Sequence, residues 1–382
     1  MAQSKGFFPS RSGGLGGLDL AILLYSSPLP PSATLRRLRE SFEIRDSSEV
    51  LEVARRDEEA GSREGLRSLI EERLGELRIQ VETSEALLQQ LGELMMLFTT
   101  TMPLIVVGLV LMVSPGEAAP LLLGFSLAGV AVGLAAQFKV PQELRLPPPG
   151  PRPYLLLPLA TVPFLLDALH VAELGERVFL VAAAMALPSA YLVYVEERRL
   201  LGELEENREL IVEALRCPFH LYRCLGLESL ERPVRLAVSR TVRAALLLMG
   251  RFGAEREALH WLYEYYRQRV KLLRDVRGRT TVSLLNGLVG VAVLAVGLSM
   301  LYTVFSTLPP VNMAGINIDP RAYTAIKPLI GAVLAINSLS YSAATASLRE
   351  GNPLYLPLYL PAMLLATYTG LQLGPLILPH PG

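Results

Sequence analysis

The chain has 382 residues, 51% of them hydrophobic, with a mean hydropathy of +0.37 and 19% charged residues. That is too apolar for an ordinary soluble globule and too charged for a bare bundle of spans, so membrane blocks must alternate with polar ones. Cations and anions balance at 36 each, which removes the global field that a nucleic-acid partner would need.

Residues 1–31 read as a flexible N-terminus, with Met1 to Gly17 rich in glycine and serine. Within them, Leu18 to Tyr25 is too short to cross a bilayer and predicts a helix lying on the soluble domain or on the membrane surface. Pro28, Pro30 and Pro31 then break the chain. Residues 32–94 form a first helical domain: Ser32 is a candidate N-cap, Asp46 and Glu49 have capping-box spacing, and Gly61 closes a helix. From Leu66, apolar residues recur at three- and four-residue steps through Ile70, Leu74, Leu77, Val81, Leu88, Leu91 and Met95. That is one face of a long amphipathic helix, and it runs directly into the first span.

Residues 95–195 hold four spans: Leu94 to Val113, Ala118 to Phe138, Tyr154 to Ala172 and Val178 to Val195. Gly129 and Gly133 give a small-xxx-small step where a neighbouring helix can approach closely. Pro163 and Pro188 are expected to break the third and fourth spans. Residues 196–281 form a second charged helical domain, and residues 282–378 hold three more spans. The fold class is therefore all-α: a polytopic membrane protein with about seven transmembrane helices and two cytoplasmic helical bundles.

Basic residues orient the chain. With the N-terminus cytoplasmic, the inside segments hold the arginine-rich first block, Lys139, Arg145, Arg152, the second block and Arg349, while the outside loops hold only Arg177 and Arg321. The C-terminus is then outside. The blocks differ in sign: Ser32 to Leu94 has 15 acidic residues against 10 basic ones, net −5, and Glu196 to Thr281 has 13 against 17, net +4. Opposite charge favours their packing on each other or on different faces of one partner. Cys217 and Cys224, placed on one continuous helix, would lie about 10 Å apart along its axis, too far to bridge.

Little here resembles catalytic machinery. None of the four lysines follows a glycine, so the phosphate-binding G-x-x-x-x-G-K pattern is missing. No H-E-x-x-H or C-x-x-C pair occurs, so no metal or other cofactor is expected. Asp319 falls in an outside loop, which disfavours an intramembrane aspartyl peptidase. Asp167, His170 and Lys327 lie near the outer ends of their spans, where a local pair or snorkelling accommodates them. Asn286, Asn337 and the serines 338, 340 and 342 are expected to bond across helices.

The second block ends as the first does. Leu259, Leu262, Tyr266, Val270, Leu273 and Val276 mark an amphipathic stalk that carries through Arg277 and Arg279 into the fifth span. Soluble block, stalk and span thus occur twice, the mark of a duplicated module. This layout, the stretch Trp261 to Arg274 (WLYEYYRQRVKLLR), the span start Val282 to Gly287 and the stretch Ile336 to Gly351 (INSLSYSAATASLREG) resemble the type II secretion F-domain family. The spans between the two copies look more like archaeal members than three-span bacterial ones. The resemblance implies a platform in the cytoplasmic membrane with no chemistry of its own. It implies a hexameric secretion-type ATPase on the cytoplasmic side and pilin or archaellin subunits in the bilayer as partners, and it is compatible with a homodimer. The stalk cations Arg267, Arg269, Lys271, Arg274, Arg277 and Arg279 are then the candidates for coupling to the ATPase. The alternatives are a secondary transporter, which should show broken spans with midplane polar clusters, or a membrane scaffold with no role in secretion.

Overall fold

A computed structural model describes residues 14–40, 42–44, 48–113, 115–217, 220–226, 230–307, 311–313, 316–318 and 327–377. Asp46, Asp319 and Arg321 lie outside the described residues. The chain is mostly helical, with two short ladders among the described residues: a parallel pair, β1 (Gly14–Leu15) with β2 (Glu43–Ile44), and an antiparallel pair, β3 (Val311–Met313) with β4 (Ile316–Ile318). It divides into two compact units, one made of residues up to Glu82 with Arg198–Asp275, the other of Thr83–Glu197 with the chain from Val276 onward. The two charged blocks, expected as two domains, therefore contribute to one unit.

The first unit is built around α1 (Gly17–Ser26). Leu20, Ala21, Ile22 and Leu23 are completely buried. A helix apolar on every side belongs inside a core rather than on a surface. The reading of residues 1–31 as a flexible start is thus corrected for this stretch. It packs against α2 (Pro31–Arg39), α3 (Ser48–Ala60) and, in the second block, α11 (Ala237–Phe252). Asp19, buried on α1, accepts a hydrogen bond from Tyr265 (2.5 Å) on α12 (Arg256–Arg279). Tyr25 meets Trp261 edge-on at 5.9 Å, and the Arg67 guanidinium lies 4.8 Å from the Trp261 ring centre.

Helix ends follow partly from local sequence. Gly61 closes α3 at φ +64°, as its position implies. The next helix, α4 (Glu64–Met96), has its first amides held from a distance: Asp57 accepts from Gly65 N (3.1 Å) and Leu66 N (2.8 Å). Ser32 does not cap α2, which begins at Pro31. Its amide and hydroxyl instead donate to Glu58.

Between α9 (Val178–Arg216) and α10 (Leu221–Cys224) the chain bends, and Cys217 and Cys224 form a disulfide with their Cα atoms 6.0 Å apart. This corrects the expectation that they cannot bridge, which assumed one continuous helix. Pro218 follows Cys217, and a residue before proline is driven out of the helical region, so α9 stops. In the C217S/C224S protein the first unit is expected to be less stable by about 2 kcal/mol, read from urea unfolding of the full chain. A wild-type chain that alkylates at both positions without reductant would contradict the bond.

The second unit contains the apolar parts of six helical stretches long and apolar enough to cross a membrane: Glu64–Val110, Pro120–Lys139, Gly175–Arg216, Arg256–Phe305, Leu329–Arg349 and Pro353–Ile377. The unit boundaries fall inside α4, α9 and α12, so each of the three chain passages is helical. α4 continues through a π-turn, Leu97–Thr101, into α5 (Met102–Val113), and α12 is followed after Thr280 by α13 (Thr281–Thr307). Its core gathers Phe179, Ala182 and Ala186 of α9 with Leu294 and Leu298 of α13, Leu334 of α14 (Lys327–Arg349) and Leu364 of α15 (Leu356–Ile377). Gly370 and Gly374 let α15 lie directly on α13: a Cβ at Gly370 would stand 2.5 Å from the Ala292 carbonyl oxygen. The same device operates at Gly133 of α6 (Pro115–Ala135), where a Cβ would come within 3.1 Å of Ala344.

Pro188 leaves α9 unbroken, whereas Tyr154 to Ala172 is divided. Prolines 153, 158 and 163 sit at the starts of α7 (Arg152–Leu156), a 3-10 stretch (Leu157–Thr161) and α8 (Val162–Ala168). Proline is favoured at a helix start and cannot continue one, so the segment fractures at each. It runs antiparallel to α9. Gly150 N donates to Glu196 (2.6 Å), Ser189 donates to the Pro153 carbonyl (2.7 Å), and Phe164 meets Phe179 edge-on at 5.2 Å.

Candidate functional site

The six basic residues of the α12 stalk do not share one surface. Helical periodicity sorts them. Arg267 and Arg274 are about two-thirds exposed, beside Glu264 (3.6 Å) and Glu205 (3.8 Å), and Lys271 is exposed between them. Arg269 points the other way and is 2% exposed. Arg277 lies in the second unit and is buried among carboxylates. Arg279 is the last residue of α12, and its side chain lies outside the described residues. Among the described side chains of this set, Arg267, Lys271 and Arg274 are therefore the exposed ones.

Arg277 organises a cluster of buried charges. Glu197 is among the first charges after the apolar half of α9, and the α12 stalk brings Arg277 against it in an ion pair. The Arg277 side chain is 11% exposed and that of Glu197 9%. Arg277 Nη2 also lies 3.6 Å from Glu350, whose side chain is completely buried in the turn between α14 and α15. Arg349 Nε stands 3.7 Å from the same carboxylate, and Tyr359 donates to its Oε1 at 2.8 Å. Four helices thus send a charged or phenolic group to one point. Among these groups, Glu350 Oε2, Arg277 Nη1 and Arg349 Nε have no hydrogen-bond partner.

The chain around Glu350 is tied down by backbone bonds. Leu146 N donates to the Glu350 carbonyl (2.9 Å), Tyr355 donates to the Pro147 carbonyl (2.9 Å), and Asn352 caps the following turn through Leu354 N (3.0 Å). Gly351 has φ +68°, and a Cβ there would lie 2.7 Å from Arg145. Burial pushes the Glu350 carboxyl up to about 7, opposed by Arg277 and by the Tyr359 hydrogen bond.

The polar residues expected in the spans are placed differently from one another. Asp167 accepts from Leu174 N (2.8 Å) and Gly175 N (3.0 Å), closing the turn into α9, while His170 is exposed at φ +53°. Lys327 begins α14, its side chain outside the described residues. Asn286 is exposed rather than bonded across helices. Asn337 is completely buried near the middle of α14, and neither of its amide atoms has a partner. Ser338 does bond across, to Thr367 of α15 (2.8 Å), but Ser340 and Ser342 fold back on carbonyls of their own helix.

A hydroxyl cluster that the sequence reading missed joins the π-turn to the same helix. Tyr341 OH lies 2.7 Å from Thr99 Oγ1 and 3.0 Å from Thr100 Oγ1, and Thr100 donates to the Gly290 carbonyl (3.2 Å). The run of three threonines, 99–101, in an apolar span was the available signal. Among the described residues no group of three or more His, Cys, Asp or Glu could hold a metal ion. No family model, curated protein or solved structure matches the chain.

Proposed function

We propose that this chain is a membrane platform of the type II secretion F-domain kind, coupling a hexameric cytoplasmic ATPase to assembly of a pilus-like or archaellum-like filament. It carries out no chemistry itself. The observation that carries this reading is the arrangement of the two charged blocks: far apart in sequence, they share one core, and each leads by a helix into the apolar unit. A helix transmits displacement along its axis where a loop would absorb it.

In this reading the chain crosses the cytoplasmic membrane seven times, with the N-terminus inside and the C-terminus outside. The seventh crossing is the fractured segment Arg152 to Ala168, which runs beside the apolar half of α9 from Glu196 back to Phe179. The disulfide then lies on the cytoplasmic side, an arrangement typical of hyperthermophile proteins and rare in other cytosols.

Arg267, Lys271 and Arg274 test the coupling. Deleting the whole second block would remove half of a shared core, so charge reversal is the cleaner experiment. R267E/K271E/R274E is expected to insert normally and to lose ATPase recovery in pull-down by about tenfold or more. Equal recovery would overturn the assignment. The fractured segment and the buried Asn337 favour a second reading, a secondary transporter. Solute uptake by liposomes holding the purified chain, with ATPase recovery unaffected by charge reversal, would select it.

A further inference from the structure

We infer that Glu350 is a proton-binding site, and that loading it changes which helices Arg277 ties together. The geometry carries this. Glu350 is sealed from solvent, its Oε1 is occupied by the Tyr359 hydroxyl, and its Oε2 has no partner. Arg277 stands between two carboxylates, paired with Glu197 of α9 and 3.6 Å from Glu350. One guanidinium thus serves two elements, with its Nη1 unpartnered. The groups that face or flank Glu350 are Arg277 from α12, Glu197 from α9, Arg349 from α14, Tyr359 from α15, Tyr355 from the turn before it and Arg145 from the segment after α6.

A proton taken from water forms an O–H bond at Oε2, the one carboxylate position not already hydrogen-bonded. The charge of the cluster rises by one, and Arg277 is left to Glu197. The ion pair between α9 and α12 is then kept, while the link from α12 to the α14–α15 turn is weakened. Ionised Glu350 restores that link. Burial favours the neutral carboxyl, Arg277 and Tyr359 favour the ionised one, and their near balance places the exchange within reach of a cell's pH. The site is independent of what the chain assembles with.

Infrared difference spectra of the full-length protein in lipid nanodiscs, titrated from about pH 5 to about pH 9, test this. The expected result is a protonated-carboxyl C=O band that disappears as pH rises through neutrality and is missing in Glu350→Gln. Tyr359→Phe removes a hydrogen bond to the ionised form and should raise the midpoint by about one unit. Glu197→Gln leaves Arg277 to Glu350 alone and should lower it by about one unit. No titrating band, a band retained in Glu350→Gln, or a midpoint unmoved in either of the other variants would overturn the proposal. If Glu350→Gln does not fold, those two variants decide it.

Discussion

Arg277→Ala is expected to destabilise the second unit by about 3–5 kcal/mol, because it leaves Glu197 and Glu350 buried without the cation between them. In a chain of this size that corresponds to a fall of about 10 °C in the unfolding midpoint in detergent. Arg349, 3.7 Å from Glu350 and more exposed, replaces little of the lost attraction. The pH dependence has a definite sign. A carboxyl whose folded pKa is raised, as that of Glu350 is from 4.5 to about 7, contributes stability that is complete below its unfolded pKa and is lost as pH rises through the folded one. Removing Arg277 raises the Glu350 carboxyl further, so the defect should be largest at alkaline pH and shrink on acidification. The double variant R277M/E350Q should recover part of the loss, because a neutral, well-packed site avoids the desolvation cost of buried ions. A single-variant loss below about 0.5 kcal/mol would mean that the cluster behaves like an exposed pair.

Leu23→Ala on α1 is expected to cost about 2–5 kcal/mol, the range for emptying a filled core position. Removing α1 altogether should unfold the first unit, since this helix packs against both α3 of the first block and α11 of the second. Hydrogen exchange of the full-length protein reads the effect: amides of α11 lose protection when α1 is truncated, although the two helices lie more than two hundred residues apart. A surface helix would behave otherwise, with substitutions changing stability by about 0.5 kcal/mol or less. Unchanged protection in α11 would return α1 to the periphery.

These two sites show why sequence reading went only part of the way. α1 carries a short apolar run, Leu18 to Tyr25, broken only by Asp19, and periodicity cannot tell a short membrane-surface helix from a core helix. Its buried Asp19 is satisfied by Tyr265, 246 residues away, which no local pattern announces. The axial separation that keeps Cys217 and Cys224 apart holds only on a continuous helix, and α9 ends at Arg216, before Pro218. Asn337 was expected to find a partner because most buried amides do, and nothing local in α14 signals that it has none. The amphipathic face of α12 is buried throughout, and so is that of α4 except at Leu91, which is half-buried, and Leu88, whose side chain lies outside the described residues. Leu66, Ile70, Leu74, Leu77, Val81 and Met95 of α4 and Leu259, Leu262, Tyr266, Val270, Leu273 and Val276 of α12 are all buried.

What the amino-acid sequence determined alone was therefore periodic or cumulative. The apolar lengths of the spans, the buried stripes of α4 and α12, the stop at Gly61 and the proline fractures between Arg152 and Ala168 all follow from neighbours within a few turns. Tertiary structure alone decided the encounters: α1 with α11, Asp19 with Tyr265, and Glu197 with Arg277, 80 residues apart, and then with Glu350. Hydropathy says that a side chain is buried without saying against what. A charge reads as solvated until packing removes the water around it, so Arg277 looked like one more stalk cation until the fold closed over it.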